Sequence, residues 1–346
     1  MTPHISLRTI SSFMLMFVSA AIIICLPVFE ANDNEIPIEC LNETKLSSDY
    51  NVFDFFLTYN ETEAWLTALA TEFPEKCRLQ SIGKSTEGRE ILAISIFYDK
   101  PKTVLLLSNL RAREWVAMAS AVYAIHELIR NVAKYPYAAD FNWIIAPITN
   151  PDGYEYTKMH DRKWSKTRSV QAGGSIGVQI DSNFDIKWDG GFSETFVKPS
   201  AQSYRGPEPF SEPETRAIKS LLERYKNATL MVDLQAHGPY VFIPWTHTHE
   251  PAPNVALARI VADAGRTAIY QETEQEYEVG IVSDFLPFQY GTCLDYCCSV
   301  GIRVCIALKQ TLTGYEIRTD EIIYHGREAF AAVHQMAIEA DWQMWN

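Results

Sequence analysis

The stretch Leu105–Ile129, LLLSNLRAREWVAMASAVYAIHELI, constrains the fold more than any other. An apolar run without polar alternation ends at a turn carrying Arg111, Arg113 and Glu114, and an apolar helical pattern follows. A strand buried on both faces reads this way, because a sheet covered by helices on each side has no wet face for polar residues. Charged side chains placed where such a strand meets a helix N-terminus lie where open α/β sheets build their sites.

The rest of the chain repeats the pattern. Thr103–Ser108, Trp143–Ile148, Thr229–Leu234 and Ile302–Leu308 are short apolar runs rich in β-branched residues, and Ile82–Ile96 sets a glycine-bearing turn before an apolar strand. Helical spacing runs through Asn51–Leu79, with Trp65, Leu66, Leu69 and Phe73 on one face and Pro74 as the stop. Ser211 reads as the cap of another helix, with Glu214 completing a capping box and Pro213 early in the turn. Further helices are predicted at 252–270 and 319–341. Strands alternating with helices predict one α/β domain over 51–346, with a mixed, mostly parallel central sheet and helices on both faces.

The amino terminus is of another kind. Arg8 precedes an apolar run, Phe13–Phe29, followed by a polar segment, the order of a secretory signal peptide. We assign 1–31 to that signal, with an uncleaved membrane anchor as the alternative, since about 20 apolar residues span a bilayer. Residues 32–50 read as a linker. Asn42, Asn60 and Asn227 open N-x-T triplets, glycosylation acceptors in a secreted chain. Without Cys25 the cysteines are Cys40, Cys77, Cys293, Cys297, Cys298 and Cys305, an even set suited to an oxidising compartment, with the pairing open. The Cys293, Cys297, Cys298 group lacks C-x-x-C spacing, so buried thiols or a disulfide are expected there, not a zinc knot. A net charge of −13 argues against nucleic acid or an anionic membrane surface as partner.

Several motifs resemble those of the zinc metallocarboxypeptidases, the carboxypeptidase A/B family. Arg111-Ala112-Arg113-Glu114-Trp115 is similar to H-A-R-E-W, and Ile82–Glu90 to I-G-x-S-x-E-G-R. Asn150–Tyr154 matches N-P-D-G-[FY], while Asp161–Ser169 resembles N-R-x-W-R-K-T-R-S. Gly177–Asp185 aligns without gaps over G-V-D-L-N-R-N-F-D, and Tyr204–Glu214 matches Y-x-G-x-x-x-F-S-E-x-E. The likeness runs from about residue 50 to the C-terminus. It implies the family's fold, a zinc held by three side chains, and release of C-terminal residues from peptides.

The residues that would do this chemistry are changed. The family's zinc-ligand positions are Arg111, Glu114 and Gln235, and only Glu114 is retained. Arginine cannot ligate a metal. The general-base position is Lys309, and losing a positioned base costs about 10²–10⁴ in rate. The oxyanion position is Ser165, the substrate-carboxylate positions are Asp181 and Ser182, and the lid position is Pro287. Arg113, a neighbouring subsite position, is kept. Both halves of the family's usual disulfide stand as Ser175 and Ser200, and the short linker leaves no room for the pro-domain of pancreatic-type zymogens. Arg111 and Lys309 are expected beside Glu114, with Arg111 as its ion-pair partner.

The resulting expectation is a secreted carboxypeptidase-like pseudoenzyme, without zinc or other cofactor, binding an unknown extracellular protein or peptide. An active metallocarboxypeptidase with a rebuilt metal site is the first alternative. It would use His237, two residues beyond Gln235 and so on the same strand face. Thr246-His247-Thr248-His249 is a weaker metal candidate, and Leu294 would make any surviving specificity pocket apolar. A structural extracellular protein is the remaining alternative.

Overall fold

A computed structural model describes residues 47–191, 193–312 and 314–345. The expected signal or anchor at 1–31, the linker as far as residue 46, the Asn42 triplet and Cys40 lie outside the described residues. Among those described, no helix is long and apolar enough to cross a membrane.

The strands are β1 Cys77–Lys84, β2 Glu90–Ile96, β3 Lys102–Ser108, β4 Phe141–Ala146, β5 Leu230–Ala236, β6 Tyr240–Ile243, β7 Glu278–Ile281 and β8 Cys305–Gln310. The helices are α1 Tyr59–Glu72, α2 Trp115–Arg130, α3 Pro151–Met159, α4 Glu194–Val197, α5 Pro213–Arg224, α6 Val255–Thr273, α7 Val282–Phe285, α8 Cys293–Ser299 and α9 Ile322–Trp345. The strands form one sheet in the order β1-β2-β4-β3-β5-β8-β6-β7. Its centre, β4-β3-β5-β8, is parallel; β1, β2 and β6 join by antiparallel pairings, and β7 runs parallel to β6. This is the mixed, mostly parallel sheet that the apolar runs predict.

Alternation along the central strands divides the core. Val104 and Leu106 of β3, with Val232 of β5 and Ile306 of β8, pack under α1, α2, α6 and α9. Leu105, Leu107, Met231 and Ala307 pack under α5 and α8. Burying each large aliphatic side chain contributes about 1.5–3 kcal/mol, which is why the middles of the central strands are mostly apolar on both faces. Edge strand β1 is half wet, and its sequence, CRLQSIGK, shows it.

Two local expectations need correction. The helix placed from Asn51 begins at Tyr59, where Thr58 and Glu61 form a capping box: the Thr58 hydroxyl accepts the Glu61 N–H at 3.2 Å and Glu61 accepts the Thr58 N–H at 2.7 Å. The helix ends at Glu72, just before the expected stop at Pro74, and the last residues of the stretch, Cys77–Leu79, belong to β1. Ser211 does not cap α5. Pro213 takes the first helical position, so Glu212 is the cap residue, the Ser211 hydroxyl bonds Glu212, and Glu214 turns to the Thr86 backbone N–H. Cys297 and Cys305 form a disulfide tying α8 to the start of β8, while Cys77 and Cys293 are buried thiols and Cys298 is half-buried.

Candidate functional site

A buried charge cluster sits at the carboxyl ends of β3, β5 and β8. Because side chains alternate, Asp233 and Gln235 share the β5 face of Met231, and Lys309 shares the β8 face of Ala307. The parallel register sets Gln235 opposite Lys309. After β3, Asn109 turns the chain with φ at +59°, a conformation asparagine tolerates, and its side-chain amide donates to the Ala112 carbonyl at 3.1 Å. That turn carries Arg111 and Glu114 over the strand ends. Asp181 arrives from a short 3-10 turn at Ile180–Ser182.

The Arg111 guanidinium is the hub. It donates to Gln235 Oε1 at 2.8 Å and to Asp181 Oδ2 at 2.6 Å, and Glu114 Oε1 lies 3.8 Å away. Lys309 Nζ donates to the same Gln235 oxygen at 2.8 Å. The Gln235 amide group in turn donates to Asp233 Oδ2 at 2.6 Å and reaches Asp181 Oδ2 at 3.5 Å. One end of this amide therefore meets cations and the other meets acids, which fixes its orientation. Asp181 Oδ1 accepts the backbone N–H of Cys293 at 2.9 Å. Glu114, Asp181, Asp233 and Gln235 are all buried.

Electrostatics follow from this packing. Burial and the nearby Asp181 charge hold the Asp233 carboxyl well above the usual carboxylate range. Burial, then the Arg111 charge, pulls Lys309 down to about 8. Burial works against the Arg111 charge, but Asp181, Glu114 and Asp233 outweigh it and hold the guanidinium above its ordinary value. Arg111 pairs with Asp181 and Glu114, Lys309 is held by the neutral Gln235 oxygen, and the cavity beside them, lined in part by Asp181, Lys309, Phe242 and Leu294, holds only about 20 Å³. Small-molecule pockets are typically about 300–1,000 Å³.

The other residues singled out by sequence fall outside this network. Ser165 is buried and donates to Gln179 at 3.3 Å, Ser182 is buried beside Asp181, and Pro287 is exposed in the turn after α7. Arg113 stacks over Tyr315 at 4.7 Å. Asn60, in the first turn of α1, and Asn227, before β5, are both exposed.

His237 does not continue the strand face of Gln235. β5 ends at Ala236, and His237 is exposed with φ at +73°, so the two-residue alternation behind that expectation stops one residue short. His247 pairs with buried Asp295 at 2.6 Å and His249 with Asp284 at 3.0 Å, each with its own acid. Among the described residues, no group of three or more His, Cys, Asp or Glu side chains is placed to hold a metal ion.

Sequence reading paired Arg111 with Glu114 and placed Asp181 only at a substrate-carboxylate position. The closest partner of Arg111 is Asp181 itself, 70 positions away. Asp233 was missed because it interrupts an apolar strand by one residue; a lone acid inside such a run was the signal.

A family model described as zinc carboxypeptidase matches residues 62–332. The zinc carboxypeptidase of Simulium vittatum is 30% identical over 287 residues, covering 80% of this chain and 93% of its own. Carboxypeptidase B of Astacus astacus is 30% identical, with 81% and 95% covered. The inactive metallocarboxypeptidase ECM14 of Saccharomyces cerevisiae is 24% identical, with 88% and 76% covered. The crystal structure of a carboxypeptidase A from Helicoverpa armigera superposes with a TM-score of 0.80 at 27% identity, covering 88% of this chain and 78% of that one. By sequence and by fold, this chain belongs to the zinc carboxypeptidase family.

Proposed function

We propose that this chain is a secreted carboxypeptidase-like protein without peptidase activity, acting by binding a partner outside the cell. One observation carries the reading: the Arg111 guanidinium joins Gln235, Asp181 and Glu114 at the strand ends, where family chemistry would require a divalent cation.

The donor set does not fit zinc. Zinc takes imidazole, thiolate or carboxylate ligands, whereas here a permanent cation and a neutral amide accompany a single carboxylate at the ligand positions, with an ammonium 2.8 Å from the amide. Lys309 as an ammonium cannot take a proton from water, and Ser165 is bonded to Gln179. Asp181 would repel a substrate carboxylate, and the adjoining cavity is too small for a side chain. The named inactive relative supports the reading as a precedent within the family; the relatives named as carboxypeptidases leave it to experiment.

Metal analysis of the purified protein, together with a C-terminal-residue release assay, tests it. The expected outcome is no stoichiometric zinc and no release above that of the Glu114→Ala variant. Bound zinc with release abolished by Glu114→Ala would overturn the proposal.

A further inference from the structure

A ligand-sized cavity lies away from the charge cluster. It occupies about 470 Å³ between the segment after β8, the end of α6 and the start of α9. That volume is within the usual range for small-molecule sites. β8 serves both places, delivering Lys309 to the cluster and Thr311, just past its end, to the cavity wall.

The walls are apolar and aromatic, from Leu312, Ile317, Tyr277 and Tyr324. Glu328 lines the cavity as well and is only 1% exposed. Its Oε2 lies 2.8 Å from His325 Nδ1, and its Oε1 accepts from the Thr273 hydroxyl at 3.3 Å. Its ion-pair partner among the described residues is His325, not a lysine or arginine. Burial and then the Glu328 charge push both phenols, Tyr277 and Tyr324, up from their ordinary value. At the rim Arg318 is turned to Asp320, with Nε 2.8 Å from Oδ1, so this cation does not serve Glu328. Glu316 and Glu321 add negative charge to the same rim.

A buried carboxylate without a permanent counter-cation is costly. Placed on the wall of an open cavity between tyrosine rings, it attracts a cation that brings its own apolar stem. We infer that this cavity is a binding site for an aliphatic ammonium or guanidinium group, carried by a small amine or by a lysine or arginine side chain. The assignment stands apart from the proposed loss of catalysis, and either can fail alone.

Calorimetric titration of the full chain tests it with three probes: agmatine, acetyl-arginine amide, and acetyl-citrulline amide as the neutral isostere. Agmatine or the arginine probe should bind roughly tenfold or more tightly than citrulline, the loss expected for one charge-assisted contact. Whichever cationic probe binds more tightly identifies the source, free amine or peptide side chain. Glu328→Gln should weaken the cationic probe by a similar factor and leave the citrulline probe unchanged. Should that variant fail to fold, Tyr324→Ala and the rim double variant Glu316→Gln/Glu321→Gln carry the test, each weakening the cationic probe. Equal affinity for arginine and citrulline, unchanged affinity in the folded variants, or no binding of either cation at millimolar concentration would overturn the assignment.

Discussion

Two regions of this protein bury carboxylates and neutralise them differently. At the ends of β3, β5 and β8, Asp181 and Glu114 are matched by the Arg111 guanidinium, with Lys309 beside it. At the corner where the turn after β1 meets α3 and α5, Asp152 accepts from the Ser85 hydroxyl at 2.6 Å, Arg89 at 2.8 Å and the Glu87 N–H at 2.7 Å. Next to it, Glu214 has the Thr86 N–H on one oxygen, and its other oxygen is buried without a partner. Burial, reinforced by Glu212 and Asp152, raises Glu214 to about 7. The first region relies on fixed cations; in the second, Arg89 serves Asp152 while Glu214 has no cation and relies on a proton. Their responses to mutation and pH should therefore be opposite.

The largest effect should come from removing the hub. Arg111→Met leaves two buried carboxylates short of their cation, and breaking such a pair costs about 3–5 kcal/mol. Urea unfolding at pH 7 measures this; a loss below about 1 kcal/mol would show that the cluster does not depend on the guanidinium.

Next is Glu214→Gln. The folded value, about 7, stands above the unfolded one, so between about pH 4.5 and 7 the unfolded chain gives up the proton first. Wild-type stability should fall through that window and stay flat above it. A shift of this size corresponds to about 3 kcal/mol. The variant should be more stable than wild type at pH 8 and equal to it near pH 4. An advantage independent of pH would break the contrast.

The smallest effect should come from Lys309→Met. Here the folded value, about 8, lies below the ordinary 10.5, so the unfolded chain holds its proton longer. Stability should rise with pH between about 8 and 10.5, by about 1–2 kcal/mol once the partial exposure of the amine is allowed for. Subtracting the variant's pH profile from the wild type's isolates this rise; a flat difference would place the amine in a wetter setting than described.

Sequence alone conveyed the central sheet well. Val104–Leu107 and Met231–Val232 are apolar at successive positions because both faces are covered. Strands β1, β6 and β7 were missed, since strands of four residues, or with a wet face as in β1, carry too little periodic signal. At the site, the candidate residues were legible because each stands at a fixed place in a motif-like stretch. Their pairing was not: Arg111 with Asp181 is a contact across 70 positions, set by the sheet and not by local spacing. The departure of His237 from the strand depended on a positive φ at a non-glycine residue, which its side chain does not announce.

The shared oxygen of Gln235 couples the residues around it. Arg111 and Lys309 both lean on that one atom, and Gln235 is locked in register opposite Lys309. Installing an imidazole at position 111 alone would strand Asp181 while the ammonium stayed in place. Installing one at 235 alone would take an acceptor from two cations at once. Each exchange taken alone is expected to give a less stable protein, so the three positions are coupled and tolerate change only together.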